Sequence, residues 1–475
     1  MTYRTCLWWC AALIAAWMLV LVPNVRAAGA VEAASETAAP ARPNIIWIMA
    51  DDLGYGDVGC YGQTRIKTPA IDRLATQGMR FTDCYAGSTV CAPSRCALMT
   101  GLHTGHARVR GNSLVPLLPD DVTVAEVLKS AGYRTAIIGK WGLGEPDTSG
   151  VPIRQGFDKW FGYLNQRHAH NYYPDYLWRN EQKVALPNVV ARGVASTREV
   201  YSADLFKREA LAFLDRQGDA PFFLYLALTQ PHANNEAGKQ GMEIPSDEPY
   251  SDQSWPQAQK NHAAMITDLD RTVGAVVEKL DERGLSDETI LFFTSDNGPH
   301  REGGADPEFF DSRGPLRGIK RALYDGGIRV PMLVRWPGHV ADGSTSDHAW
   351  AFWDALPTMA ELAGADAPTD IDGISIVPAL LGAEAAGREQ PQHDHLYWEF
   401  HERGFGQAVR MGRWKAVRPS QERAIELYDV SVDLGEQHDL AGEHPDVVAR
   451  AAGLFETART DSPHWPVKRR AAAGD

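Results

Sequence analysis

The segment around Cys91 combines a cysteine, a proline and an arginine at a spacing that suits chemistry. Pro93 and Arg95 follow Cys91 at alternate positions. Because a proline in the first turn of a helix gives up no hydrogen bond, Cys91 is predicted to lie at a helix N-terminus. Unpaired N–H groups and the positive end of the helix dipole favour an anionic group there. The alternative for any single cysteine is a buried apolar residue, and we assign that role to Cys60, Cys84 and Cys96.

Two residue pairs supply oxygen atoms that could hold a metal ion. Asp51 and Asp52 form the first pair, and Asp296 and Asn297 form the second. Three carboxylates and one amide, with no cysteine or histidine among them, make a hard donor set. Calcium fits such a set best and magnesium second, whereas zinc is disfavoured. Either pair alone could equally be a turn or a helix cap, but two pairs at one sheet edge favour a metal site.

Cationic side chains occur in glycine-rich turns. Lys140 directly follows Gly139, and Lys320 lies shortly after Gly318. A lone lysine is usually a solvated surface residue, but a lysine held in a turn beside a strand end is better placed to bind an anion. His232 follows a third apolar run. These side chains predict an anion-binding site next to the oxygen-donor pairs.

The elements that must position these residues alternate in type. Apolar runs of strand length occur at 44–50, 135–138, 222–228, 289–294 and 330–334, and amphipathic helical patterns at 70–77, 123–130, 203–216 and 262–283. Near-continuous apolar strands are typical of parallel sheets that are covered on both faces. The alternation predicts an α/β fold, a large and mostly parallel sheet flanked by helices.

Four of the runs are followed within a few positions by polar residues that could do chemistry. Asp51 and Asp52 come after the first run, Lys140 after the second, His232 after the third, and Asp296 after the fourth. Ligands of open α/β sheets bind outside the carboxyl ends of the strands. The sequence therefore predicts one site, assembled at a single edge of the sheet.

The two ends of the chain differ from its centre in residue composition and in hydrophobic pattern. Residues 1–28 have a basic start, an apolar run and a small-residue exit, which is typical of a signal peptide, although a membrane anchor is the alternative. We divide the rest into a polar lead-in at 29–43, a catalytic domain at 44–393 and a small C-terminal subdomain at 394–475. The subdomain shows short alternating segments at 408–411, 413–417 and 426–429, then a helical pattern at 445–457, which predict an antiparallel sheet packed by a helix.

Composition limits the kinds of molecule that the protein could bind and the compartments in which it could act. A formal charge of −14 with no basic stripe argues against nucleic acid. Four cysteines after the signal peptide are too few for a disulfide scaffold in a chain of 475 residues. With the signal peptide cleaved, we expect an exported protein, periplasmic or secreted, without a stable membrane anchor.

The motifs resemble those of the type I sulfatases, the formylglycine-dependent family with an alkaline-phosphatase-like fold. The resemblance runs from Asp51-Asp52 through Cys91-Ala92-Pro93-Ser94-Arg95 to the C-terminal Glu426-Leu427-Tyr428-Asp429. It implies that a separate maturation enzyme oxidises Cys91 to formylglycine (3-oxoalanine). It also implies that residue 91 joins the four oxygen donors at a calcium ion. The catalytic residues that it implies are Cys91, Arg95, Lys140, His232 and Lys320, with His232 as the proton donor.

One position departs from the pattern of that family. A histidine that is thought to help release sulfate often stands where this chain has Gly142. His103, His168 and His170 are the substitutes that the sequence offers. With Arg167, they are also the predicted substrate-binding residues. The polar and aromatic segment 166–173 lies where family members contact substrate, but it could equally be an aromatic core loop.

The resemblance implies hydrolysis of a sulfate ester, and the aromatic segment 172–178 together with the signal peptide favours a sulfated carbohydrate over a small aryl ester. A phosphate or phosphonate monoester hydrolase on the same fold is the first alternative. A non-catalytic protein that binds sulfated glycans is the second, and only Gly142 favours it.

Overall fold

The computed structural model describes residues 42–402 and 404–467. The predicted signal peptide and all but the last two residues of the lead-in lie outside them. No helix in the described ranges is long and apolar enough to span a bilayer. The described strands are β1 Asn44–Asp51, β2 Met79–Phe81, β3 Cys84–Tyr85, β4 Arg134–Lys140, β5 Lys159–Tyr163, β6 Tyr176–Arg179, β7 Gln182–Ala185, β8 Val189–Ala191, β9 Val194–Thr197, β10 Phe222–Pro231, β11 Thr289–Ser295, β12 Met332–Arg335, β13 Ser344–Ser346, β14 Trp350–Ala351, β15 Leu396–Phe400, β16 Gly406–Met411, β17 Trp414–Arg418 and β18 Glu426–Asp429.

The α-helices of the described ranges alternate with these strands. They are α1 Pro69–Thr76, α2 Cys91–Thr100, α3 Val124–Ser130, α4 Ser202–Asp215, α5 Gln257–Glu282, α6 Asp325–Ile328, α7 Ala355–Ala363, α8 Val377–Leu381, α9 Ala383–Ala386 and α10 Pro445–Thr457. Helix α5 begins five residues before the predicted 262, directly after Pro256. The polar first turn, Gln257 to Asn261, hides this start from an apolar pattern.

The central sheet has ten strands in the order β13-β2-β12-β11-β1-β10-β4-β5-β6-β7. Its middle strands β11, β1, β10, β4 and β5 all pair in parallel. The α/β fold with a mostly parallel sheet is confirmed. Strand β12, from the fifth predicted run, pairs antiparallel to β11.

The two faces of the sheet are both covered. Alternate residues of β1 point to opposite sides, so Trp47 packs in a cluster with residues of α2, α3 and α7. Ile46 packs on the other side with residues of α1, α4 and α5. All eight residues of β1 are buried. Burial on both faces explains the continuous apolar run.

The C-terminal part forms a four-stranded antiparallel sheet in the order β15-β16-β17-β18. Helix α10 packs on it through Ala451 and Phe455, in a cluster with Tyr397 and Val409. The other face packs on the catalytic part, where Trp398 contacts Tyr85 and Trp353. The predicted antiparallel sheet with one helix is confirmed; the boundary at 394 stays a prediction.

Candidate active site

The carboxyl ends of four adjacent parallel strands bring the predicted residues together. Asp51 ends β1 and Lys140 ends β4. His232 follows the last residue of β10, and Asp296 follows the last residue of β11. All four side chains are buried. The parallel register therefore builds the site at one sheet edge.

Cys91 lies in the first turn of α2, which faces this edge. Its Sγ atom is 3.2 Å from the Asp51 Oδ1 atom. Burial, and next the Asp51 charge, raise the pKa of the thiol well above its usual value. An unmodified thiol here is therefore protonated and a poor nucleophile.

Arg95, one turn further along α2, fixes the floor of the site. Its Nη2 and Nε atoms donate to the Asp296 Oδ2 atom at 2.8 and 3.1 Å. Its Nη1 atom donates to the Lys140 carbonyl oxygen at 2.7 Å. The guanidinium is fully buried and tied to the ends of two strands. It holds those ends in register while adding positive charge beneath them.

Hydrogen bonds link Asp52 to both members of the second oxygen-donor pair. The Asp52 N–H group donates to Asp296 Oδ1 at 3.1 Å, and the Asn297 Nδ2 atom donates to Asp52 Oδ1 at 2.7 Å. Asp52 adopts φ 66°, a left-handed conformation that is strained for a non-glycine residue. The Asn297 Oδ1 atom is buried and has no hydrogen-bond partner among the described residues. Burial and the nearby Asp51 charge raise the pKa of Asp296 to about 7, against the effect of Arg95.

Two lysines neutralise the first acidic pair. The Lys140 Nζ atom lies 2.6 Å from Asp51 Oδ2, and the Lys320 Nζ atom lies 2.7 Å from Asp52 Oδ2. Burial lowers the pKa of each ammonium group, but the facing aspartate together with Cys91 and other nearby acids outweighs burial, and the net shift is upward. Burial likewise raises the pKa of Asp51, and Lys140 and other cations reverse this to a value well below the ordinary one. Asp51 and both lysines are therefore charged.

The neighbours of His232 determine which of its ring nitrogens carries the hydrogen. Its Nδ1 atom lies 2.7 Å from the Ala233 carbonyl oxygen, which can only accept, so Nδ1 carries the hydrogen. Its Nε2 atom then accepts from the Lys320 Nζ atom at 3.1 Å. Burial and Lys320 hold the pKa of His232 well below its usual value. The resting imidazole is therefore neutral.

A cavity of about 370 Å³ opens above these residues. Cys91, His232 and Lys320 lie at its floor, and its walls come from loops distant in sequence. The wall residues include Asn112, Leu114, Glu145, Gln166, Arg167, His170, Glu236, Arg321 and Glu402. Most of these side chains are polar, and both signs of charge are present.

His170 is the wall residue that lies against His232. Its ring stacks on His232 with centroids 4.8 Å apart and an interplanar angle of 15°. Its Nδ1 atom is 2.9 Å from the Glu236 Oε2 atom. Arg167, 81 % exposed at its side chain, pairs with the other oxygen of Glu236 at 3.2 Å. The Glu236 carboxylate thus orients the imidazole ring of His170 and the guanidinium group of Arg167.

Comparison with known proteins decides the family. The family model described as sulfatase matches residues 43–365. The chain belongs to the sulfatase family. A second model, described as the C-terminal part of N-sulphoglucosamine sulphohydrolase, matches residues 318–452. The protein is therefore a sulfatase, an enzyme that hydrolyses sulfate esters.

Relatives of this sulfatase cover most of its length. It is 35% identical to human arylsulfatase A over 84% of this chain and 83% of that protein. It is 31% identical to the N-acetylgalactosamine-6-O-sulfatase of Bacteroides thetaiotaomicron over 88% of this chain and 93% of that protein. The crystal structure of Ps i-CgsB in complex with k-i-k-neocarrahexaose matches with a TM-score of 0.77 at 30% identity, covering 90% of this chain and 95% of that one.

Two histidines that the sequence offered as substitutes lie away from the cavity of the sulfatase. His103 packs on His106, Trp353 and Tyr397, and its Nε2 atom is 3.5 Å from Asp372. Burial lowers the pKa of His103 to about 4. It is a core histidine that joins α2 to the C-terminal sheet, and the structure gives it no contact with the cavity.

His168 is the second histidine outside the cavity. Its ring packs on Tyr163 and Tyr176, and burial lowers its pKa to about 4. The segment 166–173 is thus divided: Gln166, Arg167 and His170 line the cavity, whereas His168 packs against aromatic rings. Of the three histidines, His170 is the one that lines the cavity, as Gly142 does.

The sequence does not single out several wall residues of the sulfatase, among them Asn112, Glu236, Arg321 and Glu402. Gln166 belongs to the segment 166–173, for which the sequence predicts either substrate contact or an aromatic core loop, but it is not among the predicted site residues. These wall residues lie in irregular segments and far apart along the chain. The Glu402 Oε1 atom accepts from the Asn112 N–H group at 3.1 Å, which links the C-terminal part to the loop after α2. No periodic pattern marks such residues, because loop conformation is set by tertiary contacts.

Proposed function

We propose that this sulfatase removes sulfate from a carbohydrate ester, with a nucleophile made by oxidation of Cys91 to formylglycine and with a bound calcium ion. One observation carries the proposal. The Cys91 side chain lies 3.2 Å from Asp51, at the floor of a cavity that Lys320 and His232 also line. A reactive side chain held in a buried setting of fixed positive charge is suited to attack on an anionic ester.

The oxygen donors fit a calcium ion. Asp51, Asp52, Asp296 and Asn297 would hold it, and residue 91 would complete the set. The fit rests on the buried, unpartnered Asn297 Oδ1 atom and on an all-oxygen set of protein donors, which calcium prefers. Bound there, the ion supplies positive charge that polarises an oxygen of the reacting groups. Magnesium is the second choice, because its tighter octahedral geometry suits such a crowded set less well.

The proposed modification explains why position 91 is a cysteine. A hydrated formylglycine supplies one hydroxyl group that attacks sulfur and a second that expels sulfate and restores the aldehyde. A serine or a thiol has no second hydroxyl group. The thiol in the folded chain is also protonated, since burial and Asp51 raise its pKa.

The cations of this chain bind and orient the sulfuryl group. Lys320 is at the cavity floor, and Lys140 and Arg95 lie buried beneath it. Because Asp51, Asp52 and Asp296 hold these side chains in place, little reorganisation is needed as charge develops on the sulfuryl oxygens. Removing a single preorganised donor costs roughly 2.7 to 4 kcal/mol in other enzymes.

The leaving alcohol takes its proton from the Lys320–His232 pair. His232 was the proton donor implied by the family resemblance. With its Nδ1–H bound to the Ala233 carbonyl, its Nε2 atom can pass on a proton only after receiving one from Lys320. We therefore propose that Lys320 supplies the proton and that His232 transfers it to the leaving alcohol.

A carbohydrate is the proposed alcohol. The cavity walls are mainly polar, which suits hydroxyl groups better than an apolar aryl or steroid body. Relatives with at least 30% identity include an N-acetylgalactosamine-6-O-sulfatase and a structure in complex with k-i-k-neocarrahexaose. Screening defined sulfated sugars for released sulfate identifies the substrate.

The test of the proposed nucleophile compares Cys91→Ser with the wild type, each produced with and without a formylglycine-generating enzyme. Wild type produced with that enzyme should carry an aldehyde in the peptide around residue 91 by mass spectrometry and should turn over. Cys91→Ser should lose turnover by at least about 10²-fold, or stop after one sulfation. Near-wild-type turnover of Cys91→Ser, or equal activity of unmodified wild type, contradicts the proposal. Parallel assays with phosphate esters test the alternative hydrolase activity.

A further inference from the structure

Gln166 has an unusual environment for an amide side chain. Its Nε2 and Oε1 atoms are both buried, and neither has a hydrogen-bond partner among the described residues. The residue lines the catalytic cavity. Leaving a buried polar group unpaired costs about 1–3 kcal/mol, so such a group in a binding cavity calls for a ligand.

The position of this amide depends on the glycine at 142. A Cβ atom built on Gly142 would lie 2.1 Å from the Gln166 Nε2 atom, far inside contact distance. Gly142 also has φ +84°, which L side chains rarely adopt. The carboxamide of Gln166 therefore occupies the space into which a side chain at 142 would project.

The loop holds Gln166 in place through its neighbours. The Gly142 N–H group donates to the Leu164 carbonyl oxygen at 3.0 Å, which ties the two segments together. Asn165 donates through its Nδ2 atom to Glu145 at 3.2 Å, and its Oδ1 atom accepts from the His168 N–H group at 3.1 Å. Asn165 is satisfied within the protein, whereas the adjacent Gln166 is not.

We propose that Gln166 is a substrate-binding residue that recognises a hydroxyl group next to the sulfated carbon of the alcohol. A carboxamide both donates and accepts, and a hydroxyl group does the same, so one such group can satisfy both amide atoms. A sulfate oxygen only accepts and would leave Oε1 unpaired. The inference deepens the proposed function, since a carbohydrate carries hydroxyl groups beside its sulfate ester.

Two small esters isolate this contact. 4-Nitrocatechol sulfate has a hydroxyl group next to the sulfated carbon, and 4-nitrophenyl sulfate lacks it. The readout is the ratio of kcat/KM for the first ester to that for the second. Within one variant, this ratio cancels effects on the nucleophile and on the sulfuryl site. Gln166→Met, of similar shape but without the amide, should lower the ratio about tenfold relative to wild type.

Gly142→Ala should lower the ratio in the same direction, because the added methyl group displaces the carboxamide without removing it. Gln182→Met, at an exposed position on β7, is the control and should keep the wild-type ratio. Thermal unfolding reports whether each variant is folded, and Gln166→Ala, which only removes atoms, replaces the methionine variant if that one fails.

A ratio within about twofold of wild type in a folded Gln166 variant overturns the proposal, since a hydrogen bond of ordinary strength would exceed that change. An equal loss on both esters also overturns it, because Gln166 would then act on the part that they share. Failure of the carbohydrate proposal would give a different result, because the wild type would then cleave the aryl esters but no sulfated sugar. The ratio of kcat/KM for the two aryl esters could still be measured and would still test the role of Gln166.

Discussion

Each aspartate at the end of β1 has a lysine of its own. Asp51 faces Lys140 and Asp52 faces Lys320, and all four side chains are buried. Removing one member of such a pair leaves an uncompensated buried charge, which typically costs about 3–5 kcal/mol. The charges at the site are therefore coupled, and single charge deletions there will affect folding as well as catalysis.

Calcium should stabilise the folded enzyme. Binding only to the folded state adds about 2.7 kcal/mol at a calcium concentration of about one hundred times Kd. We expect calcium to raise the melting temperature of chelator-treated protein more than magnesium does, and Asn297→Ala to reduce this rise because it deletes the free Oδ1 atom. Asn188→Ala, which truncates a buried asparagine that bonds to the backbone of a separate loop, is the matched control. A larger rise with magnesium would contradict the choice of ion.

His170 and Glu236 should act as a unit. The Glu236 carboxylate accepts from His170 at 2.9 Å, so Glu236→Gln and His170→Asn should be non-additive in kcat/KM, with a coupling of about 0.5–3 kcal/mol. Kinetics of the two single variants and the double variant measure this coupling. In the control cycle, Glu209→Gln replaces Glu236→Gln. Glu209 pairs with Arg179 at the surface, so the effects of Glu209→Gln and His170→Asn on kcat/KM should be additive. Additive effects in the first cycle would show that the contact has no role.

At the residue scale, the sequence predicts the side chains that follow strands but only some of those in loops. Asp51, Lys140, His232 and Asp296 each follow a recognisable apolar run, and parallel pairing brings the ends of these runs together. Gln166 carries no such signal. Its environment depends on the backbone conformation of Gly142, which the sequence does not reveal.

At the scale of elements, α2 determines where Cys91 lies. Its N-cap residue, Val90, has no side chain that could accept a hydrogen bond. Instead the Asn112 Oδ1 atom, from the loop beyond the helix, accepts from the Ala92 N–H group at 2.9 Å. The helix that carries Cys91 is thus capped by a wall of the cavity.

This distant cap should contribute stability. Asn112→Ala removes the acceptor, and we expect a loss of about 1 kcal/mol in the free energy of unfolding, as for other N-cap deletions. Asn112→Asp keeps an acceptor and places a negative charge near the helix N-terminus, so it should lose less. Urea unfolding of the three proteins measures both differences. Equal losses in the alanine and aspartate variants would contradict the capping role.

The sequence predicted the type and order of the elements better than their direction. The run at 330–334 is apolar like its neighbours, yet β12 pairs antiparallel to β11. An apolar run carries no information about chain direction, which depends on the connection between the strands. The connection from β11 to β12 carries Lys320 and α6 and returns the chain along the sheet edge.

At the scale of the whole molecule, a buried ion cluster joins the C-terminal sheet to the catalytic part. The Lys415 Nζ atom of β17 lies 2.5 Å from Asp325 Oδ1 at the start of α6 and 2.9 Å from Glu436 Oε1. The Lys415–Glu436 pair is close but is not aligned as a hydrogen bond. The Glu436 Oε2 atom accepts from the Asp325 N–H group at 2.7 Å.

Stability should depend on pH through Glu436. Burial raises its pKa to about 7, with Lys415 opposing and Asp325 reinforcing the shift. Because the folded state holds this proton more tightly than the unfolded chain, the contribution of Glu436 is lost as pH rises toward 7. Between pH 5 and pH 8, Glu436→Gln should gain about 2 kcal/mol in unfolding free energy relative to wild type. Urea unfolding across that range tests this, and parallel pH curves for the two proteins would refute it.

The Cys91 side chain is 1 % exposed in the folded chain. An oxidising enzyme has to reach it before α2 docks on β1 and before Glu402 closes over the loop at Asn112. Under the proposed modification, oxidation of Cys91 competes with folding of the chain. A molecule that folds before it is oxidised keeps the Cys91 thiol. Strong overexpression would then yield a mixture of modified and unmodified molecules, in which only a fraction ever becomes active.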